Sequence, residues 1–279
     1  MSMNNDYLIH YGIKGQKWGV RRFQNEDGSL TKAGRERYRT TNKRFSDAER
    51  YVKGKMTNRL EKIVKQPIDI SEVKKRGNLN TNEALQCIEL AKKIYVRLHK
   101  KEPAITKDVI SSSKESLCTM YGLEYRMKQP TSIASKIGSD AKEKNISFED
   151  ASKEIKDVIR YTSISDDEKF VKSYLLMKQH LLEKGYSEIT CKNFFQMYKD
   201  GLVKHKSVQS IYEDDSGCRF ELQFHTPSSQ AAKNLKIPLY EERRKRGISS
   251  VRKRELEKQM TDLAEYVSYP ENVMDIVSH

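Results

Sequence analysis

From Phe220 to Thr226 the chain reads FELQFHT, and its apolar and polar positions alternate without a break. Phe220, Leu222 and Phe224 share one side; Glu221, Gln223 and His225 share the other. That period predicts a half-buried strand, with a carboxylate, an amide and an imidazole in a row on its polar face. Four other stretches predict strands: TMYGLEYRMKQ, KDVIRYTSI, YSEITCKNFF and an interrupted one between Tyr198 and Tyr212. In the first, Leu123, Tyr125 and Met127 fall on one face and Glu124, Arg126 and Lys128 on the other. Helical spacing dominates elsewhere. In ALQCIELAKKIYVRLHKK the residues Leu85, Ile88, Leu90, Ala91, Ile94, Tyr95 and Leu98 recur at helical intervals, and Pro103 is expected to end that helix before a shorter one, ITKDVISSSKES. Thr131 is placed to cap SIASKIGSDAKEK, which carries Lys136 on its second turn. SDDEKFVKSYLLMKQHLLEKG reads as an amphipathic helix with an acidic start and a glycine stop. SSQAAKNLKIPLYEERRKR follows the FELQFHT strand as a helix kinked by Pro238, and a last helix runs to about Tyr266.

Composition changes the picture mainly at the N-terminus. The 279 residues are 36% hydrophobic and 33% charged, with a mean hydropathy of −0.82. That is polar for a chain that is globular throughout, so part of it is expected to be an extended appendage. The net charge of +14 is unevenly spread. Residues 1–66 hold more than twice as many Lys and Arg as Asp and Glu, whereas the rest is close to balance. A basic arm of this kind suits attachment to an acidic partner. Its opening, LIHYGIKGQKWGVRRFQNEDGSLTKAGRERY, interleaves glycines with Lys14, Lys17, Arg21, Arg22 and the single tryptophan, Trp18. It reads either as a solvated leader or as a docking peptide with Trp18 as anchor and the cations as steering. A basic helix is expected from Thr31 to near Lys65. The domain reading is therefore 1–66 as a basic arm and 67–279 as a folded body.

Cys87, Cys118, Cys191 and Cys218 form no CxxC pair and lie at no zinc-ligand spacing, which points to reduced thiols in a cytoplasmic setting. No apolar run approaches the ~18 residues that a membrane span needs. The N-terminus lacks the apolar segment of a secretory signal.

The candidate chemistry is a mixed-charge sheet face: Asp157 at the start of one strand, Glu221 on another, with Arg126, Lys128, Lys136 and Lys192 around them. Two carboxylates amid cations suit phosphate transfer, since carboxylates hold Mg²⁺ and cations offset polyphosphate charge. By composition alone such a face is more simply a solvated one.

The order of the pieces is more specific. YRMKQPTSIASKI, KDVIRYT, a helix ending EKGY, KN, YKDG, GCRFELQFHT and LYEERR together resemble the synthetase domain of the RelA/SpoT family, in its divergent toxin-like branch. The resemblance covers roughly residues 102–244. It implies an α+β fold with a mixed, mainly antiparallel five-stranded sheet flanked by helices. It implies pyrophosphoryl transfer from ATP to a nucleotide ribose 3′-hydroxyl, with Mg²⁺ as cofactor. It also implies roles: Arg126, Lys128 and Lys136 on the ATP phosphates, Asp157 and Glu221 on the metal, and Glu221 activating the acceptor with Gln223 beside it. Lys192, Tyr198 and His225 would serve the acceptor, Tyr198 by stacking on its base.

Three departures mark the acceptor side. Leu202 and Val203 stand where the family's loop carries His or Asn, Ile237 stands where a His often precedes LYEE, and Arg160 falls three residues after Asp157, on the opposite strand face by parity. Two alternatives stay open: a tRNA 3′ end as acceptor, or a virion protein whose site has decayed. HYGIKGQKWGVRR also resembles a short element of phage virion-associated and head-morphogenesis proteins, which implies a phage or prophage protein docking on a capsid or portal component. The expected location is the bacterial cytoplasm, or a phage virion.

Overall fold

The computed structural model describes residue 32 and residues 68–200, 205–243 and 247–279. The chain divides into two compact units, Met1–Lys43 and Arg44–His279. The sheet and the helices around it lie in the second. The docking residues Lys14, Lys17, Trp18, Arg21 and Arg22 lie outside the described residues, as does the expected basic helix apart from Lys32.

Two helices open the described part of this unit. α1, Ile70–Gly77, is capped by Asp69, whose carboxylate accepts the Ser71 amide at 2.8 Å. α2, Thr81–Glu115, starts in a reciprocal capping box between Asn80 and Glu83. The sequence predicts that this helix ends at Pro103; instead it runs 35 residues straight through the proline. Buried Ile94, Tyr95 and Leu98 before it and Ile105 and Val109 after it belong to one core, and that packing outweighs the lost amide hydrogen bond.

The sheet contains β1 (Thr119–Tyr121), β2 (Arg160–Ile164), β3 (Tyr186–Asn193), β4 (Val208–Asp214) and β5 (Arg219–His225). Its order is β1-β2-β5-β4-β3, antiparallel except for the parallel pair β2–β5. The α+β fold with a mixed, mainly antiparallel five-stranded sheet is the one expected from the sequence. Between the strands lie α3 (Pro130–Lys144), α4 (Phe148–Lys153), α5 (Phe170–Glu183) and α6 (Phe194–Lys199); α7 (Pro227–Arg243) and α8 (Ser250–Glu265) follow β5.

Helices cover the apolar face. Phe220 sits at its centre, edge-on to Tyr161 and Tyr186 and stacked on Tyr212 at 5.4 Å. α2 closes this side through Thr106, which reaches the Tyr161 hydroxyl at 2.7 Å, and Asp108, which accepts from Tyr186 at 2.9 Å. α5 adds Tyr174, edge-on to Phe224. α7 crosses the opposite face, contacting His225 through Ser229 and Gln223 through Lys233.

Three expected elements differ. TMYGLEYRMKQ is not one strand: β1 stops at Tyr121, Gly122 takes the left-handed conformation (φ 63°), and a 3-10 turn spans Leu123–Tyr125. The turn rotates Tyr125 out to 64% exposure and Arg126 into the core at 6%, so neither lies where alternation puts it. α3 begins at Pro130 rather than after Thr131, with Gln129 as its first flanking residue and proline in the first turn, where no amide donor is needed. Tyr198 lies on α6 and not on a strand, because Asn193 accepts the Phe195 and Gln196 amides and starts a helix there.

Candidate active site

The polar face is built from two rows of side chains set by strand register. Arg160, Glu221, Ile211 and Thr190 are successive partners across β2, β5, β4 and β3. Tyr121, Thr162, Gln223, Gln209 and Lys192 form the next row across all five strands. With strands about 4.8 Å apart, Lys192 stands roughly 10 Å from Gln223 on the same side.

Asp157 reaches this face from the segment ahead of β2. An antiparallel bridge joins Met127 to Ile159, and the Lys128 amide donates to the Val158 carbonyl at 2.9 Å. That pairing brings Lys128 Nζ to 2.7 Å from Asp157 Oδ2. Lys136, on α3, donates to Asp157 Oδ1 at 3.0 Å. Burial works to raise the Asp157 carboxyl, but the two ammonium groups outweigh it and hold it below its ordinary value. Burial lowers Lys128 despite the pull of Asp157, and the like charges of Lys136 and Arg160 add to that shift.

Glu221 is displaced the other way. Burial raises it, the negative charge of Asp157 raises it further, and the Gln223 hydrogen bond and the Arg160 and Lys233 charges only partly offset this. The Asp157 charge is thus felt at Glu221, with Asp157 kept ionised and Glu221 pushed toward its acid form. Opposed environments of this kind separate a metal-binding carboxylate from a base. Gln223 donates its amide to Glu221 Oε1 and accepts from Lys233 Nζ with its carbonyl, so a chain of hydrogen bonds runs Lys233–Gln223–Glu221. Burial lowers Lys233 to about 8.

The structure thus brings Lys128, Lys136, Asp157, Glu221, Gln223 and Lys192 to one face. Arg126 is elsewhere. Its guanidinium pairs with Glu102, itself fully buried, and donates to the Leu123 carbonyl at 2.7 Å. The turn after Gly122 directs it inward, beneath the site, where Glu102 also receives the Thr106 hydroxyl. Arg160 takes a place on the face that parity denied it. Asp157 precedes the strand and Val158 bends, so counting from Asp157 fails, while the register sets Arg160 beside Glu221.

His225 is 3% exposed, with Nδ1 at 2.8 Å from Ser229 Oγ. Burial drives its pKa well down, so it is a neutral ring under the first turn of α7. The Tyr198 ring carries the Lys206 ammonium 4.5 Å from its centroid. Cys191 and Cys218 are buried packing residues.

Lys233, which donates to Gln223, is not apparent as a site residue in the sequence. Lys233 and Lys236 are one turn apart on α7, and the phase set by Ser229 over His225 was the available signal.

Among the described residues no group of three or more His, Cys, Asp and Glu side chains could hold a metal ion. A pair of carboxylates still fits Mg²⁺, which keeps several waters and takes one or two carboxylates together with substrate phosphates.

A family of unknown function, DUF7211, matches residues 1–25. No curated protein matches the sequence. The chain is similar to the solved structure of small alarmone synthetase 1 from Bacillus subtilis, at 14% identity and a TM-score of 0.42, over 62% of this chain and 90% of that one. The same synthetase bound to its product pppGpp aligns at 17% identity and a TM-score of 0.36, over 50% and 67%. The Type VI effector Tas1, in complex with its immunity protein, aligns at 11% identity and a TM-score of 0.37, over 65% and 94%. Among the described residues no helix is long and apolar enough to cross a membrane.

Proposed function

We propose that this chain transfers the β,γ-pyrophosphoryl unit of ATP to a ribose 3′-hydroxyl of an acceptor nucleotide, on the sheet face that carries Asp157 and Glu221. The observation that supports it most is geometric: Asp157, hydrogen-bonded to Lys128 and Lys136, stands ahead of the strand whose register sets Arg160 beside Glu221 and its Gln223 partner. Lys128, Lys136 and Arg160 receive the triphosphate. Lys128 and Lys136 are held ready on Asp157 and exchange it for phosphate oxygens when ATP arrives. Asp157, together with the substrate phosphates, would hold Mg²⁺, which would offset charge on the transferred phosphates.

Glu221 takes the acceptor proton. Its upward shift makes it a stronger base than an ordinary carboxylate, and the Lys233–Gln223 chain fixes its orientation. The 3′-oxygen forms a bond to the β-phosphorus, the bond from that phosphorus to the α,β-bridging oxygen breaks, and AMP leaves with the electron pair. No covalent enzyme intermediate is needed. Lys192 and Lys236 supply positive charge on the acceptor side, and Tyr198 a ring for its base.

The test is incubation with β,γ-labelled ATP, Mg²⁺ and GDP, GTP or ADP. Glu221→Gln and Asp157→Asn are each expected to lower the transfer rate by about 10²–10⁴-fold, the span of general-base and electrostatic contributions. Label that stays on ATP with every acceptor, or variants as fast as the parent, would remove the proposal.

A further inference from the structure

Lys206 is an unusual side chain. It is 5% exposed, and burial lowers its pKa, with Glu265 the carboxylate that counteracts this. Its ammonium lies 4.5 Å from the Tyr198 ring centroid and 4.2 Å from that of Tyr269, and it donates to the Val267 carbonyl at 2.7 Å. A cation between two tyrosine faces is held by the ring quadrupoles, and more firmly where water is excluded. A Met of similar length would fill the space without a buried charge, so packing alone does not call for lysine here.

The clamp belongs to a larger attachment. The segment carrying Val267 and Tyr269 continues to His279, which exchanges backbone hydrogen bonds with Cys191 on β3, both 2.9 Å. Asn193, fully buried, donates to the carbonyls of Val273 at 2.7 Å and Ile276 at 3.0 Å, while its own carbonyl starts α6. Tyr269 also lies 6.0 Å from the Phe195 ring. One asparagine thus ties this segment to the short helix that bears Tyr198, and Lys206 ties the same two parts again at Tyr198 itself.

We infer that Lys206 is a positioning residue for the acceptor base: clamped between Tyr198 and Tyr269, it fixes the Tyr198 ring from behind and leaves the other face to stack on a nucleobase. The inference rests on the proposed transfer reaction and adds to it a determinant outside the sheet face. Lys206 touches neither the phosphates nor the reacting atoms. Its effect is confined to how well the acceptor is held.

The experiment is steady-state kinetics of the full chain with ATP and GTP, varying each nucleotide at saturating levels of the other. Lys206→Met is expected to raise the KM for the acceptor about tenfold, with the KM for ATP and the saturated kcat within about twofold of the parent. Lys206→Arg, which keeps the cation over both rings, is expected to restore the acceptor KM to within about threefold. Tyr269→Leu removes the rear ring without touching Lys206 and is expected to repeat the Met result, which covers the case of a Met variant that does not fold. An acceptor KM unchanged in Lys206→Met or in Tyr269→Leu overturns the inference, as does an equal rise in the KM for ATP. A parent that transfers nothing contradicts the transfer reaction itself; a transferring parent with an unresponsive Lys206 contradicts only the positioning role.

Discussion

At the scale of single residues, Arg126 and Asp157 show how one cation–carboxylate vocabulary serves two purposes. The Arg126–Glu102 pair is buried and has no room for a ligand. Removing one partner strands the other, and that costs more than the pair contributes. Glu102→Ala is therefore expected to destabilise the fold by about 3–5 kcal/mol, read from the denaturant midpoint; a loss below about 1 kcal/mol would contradict the burial argument. The Asp157 pairs are part-exposed and exchangeable, which is what a binding site requires. His205 supplies a pH signature. Burial lowers it to about 4 from 6.5, with Lys236 and Lys233 contributing. The folded state thus holds the ring neutral while the unfolded chain accepts a proton. Its contribution is fully present above pH 6.5 and is lost as pH falls from 6.5 toward 4, and neutral, buried His225 acts in the same direction. Thermal melts across that range are expected to show stability falling with pH, less steeply in His205→Gln; equal slopes would exclude the residue as a source.

At the scale of elements, strands with an unbroken period were legible and segments governed by a turn were not. In FELQFHT alternation persists along the whole of β5 and sets Glu221 and Gln223 on the polar face, but α7 covers the third polar position, His225, at 3% exposure. The TMYGLEYRMKQ stretch also alternates on paper, but Gly122 inserts a left-handed turn that no periodicity count detects, and Arg126 was misplaced as a result. Pro103 shows the reverse error: a local break signal was overridden by packing on both sides of it. The short helix with Tyr198 was missed because its start depends on Asn193, one side chain that also holds two distant carbonyls. Asn193→Ala removes the helix start and orphans those carbonyls together. The expected loss is about 2–3 kcal/mol by chemical denaturation, combining a missing cap with lost buried hydrogen bonds; a near-neutral variant would show that α6 is held otherwise.

At the scale of the whole molecule, the ordered set of motifs led to the same face that strand register assembles, yet the two routes differ in what they supply. The motif order named Asp157, Glu221, Lys128 and Lys136. The register and the crossing of α7 added Arg160 and Lys233, which long-range packing decides and local sequence does not. Together they set a pH profile for the proposed reaction. Glu221 must lose its proton to act as base, so the rate is expected to rise with pH through a value above its ordinary 4.5. Lys233 must keep its proton to hold Gln223, so the rate is expected to fall above about 8. Under the proposed function the Lys206 clamp serves the acceptor, on the side where the sequence departs most from the pattern that it resembles.

The most direct measurement is the mass of the nucleotide products formed from ATP, Mg²⁺ and GTP by the parent chain and by Glu221→Gln. The parent is expected to yield an acceptor heavier by one pyrophosphoryl unit and an equal amount of AMP, with both products falling together about 10²–10⁴-fold in the variant. Release of AMP or ADP without a modified acceptor, or equal product from parent and variant, would contradict the proposed transfer.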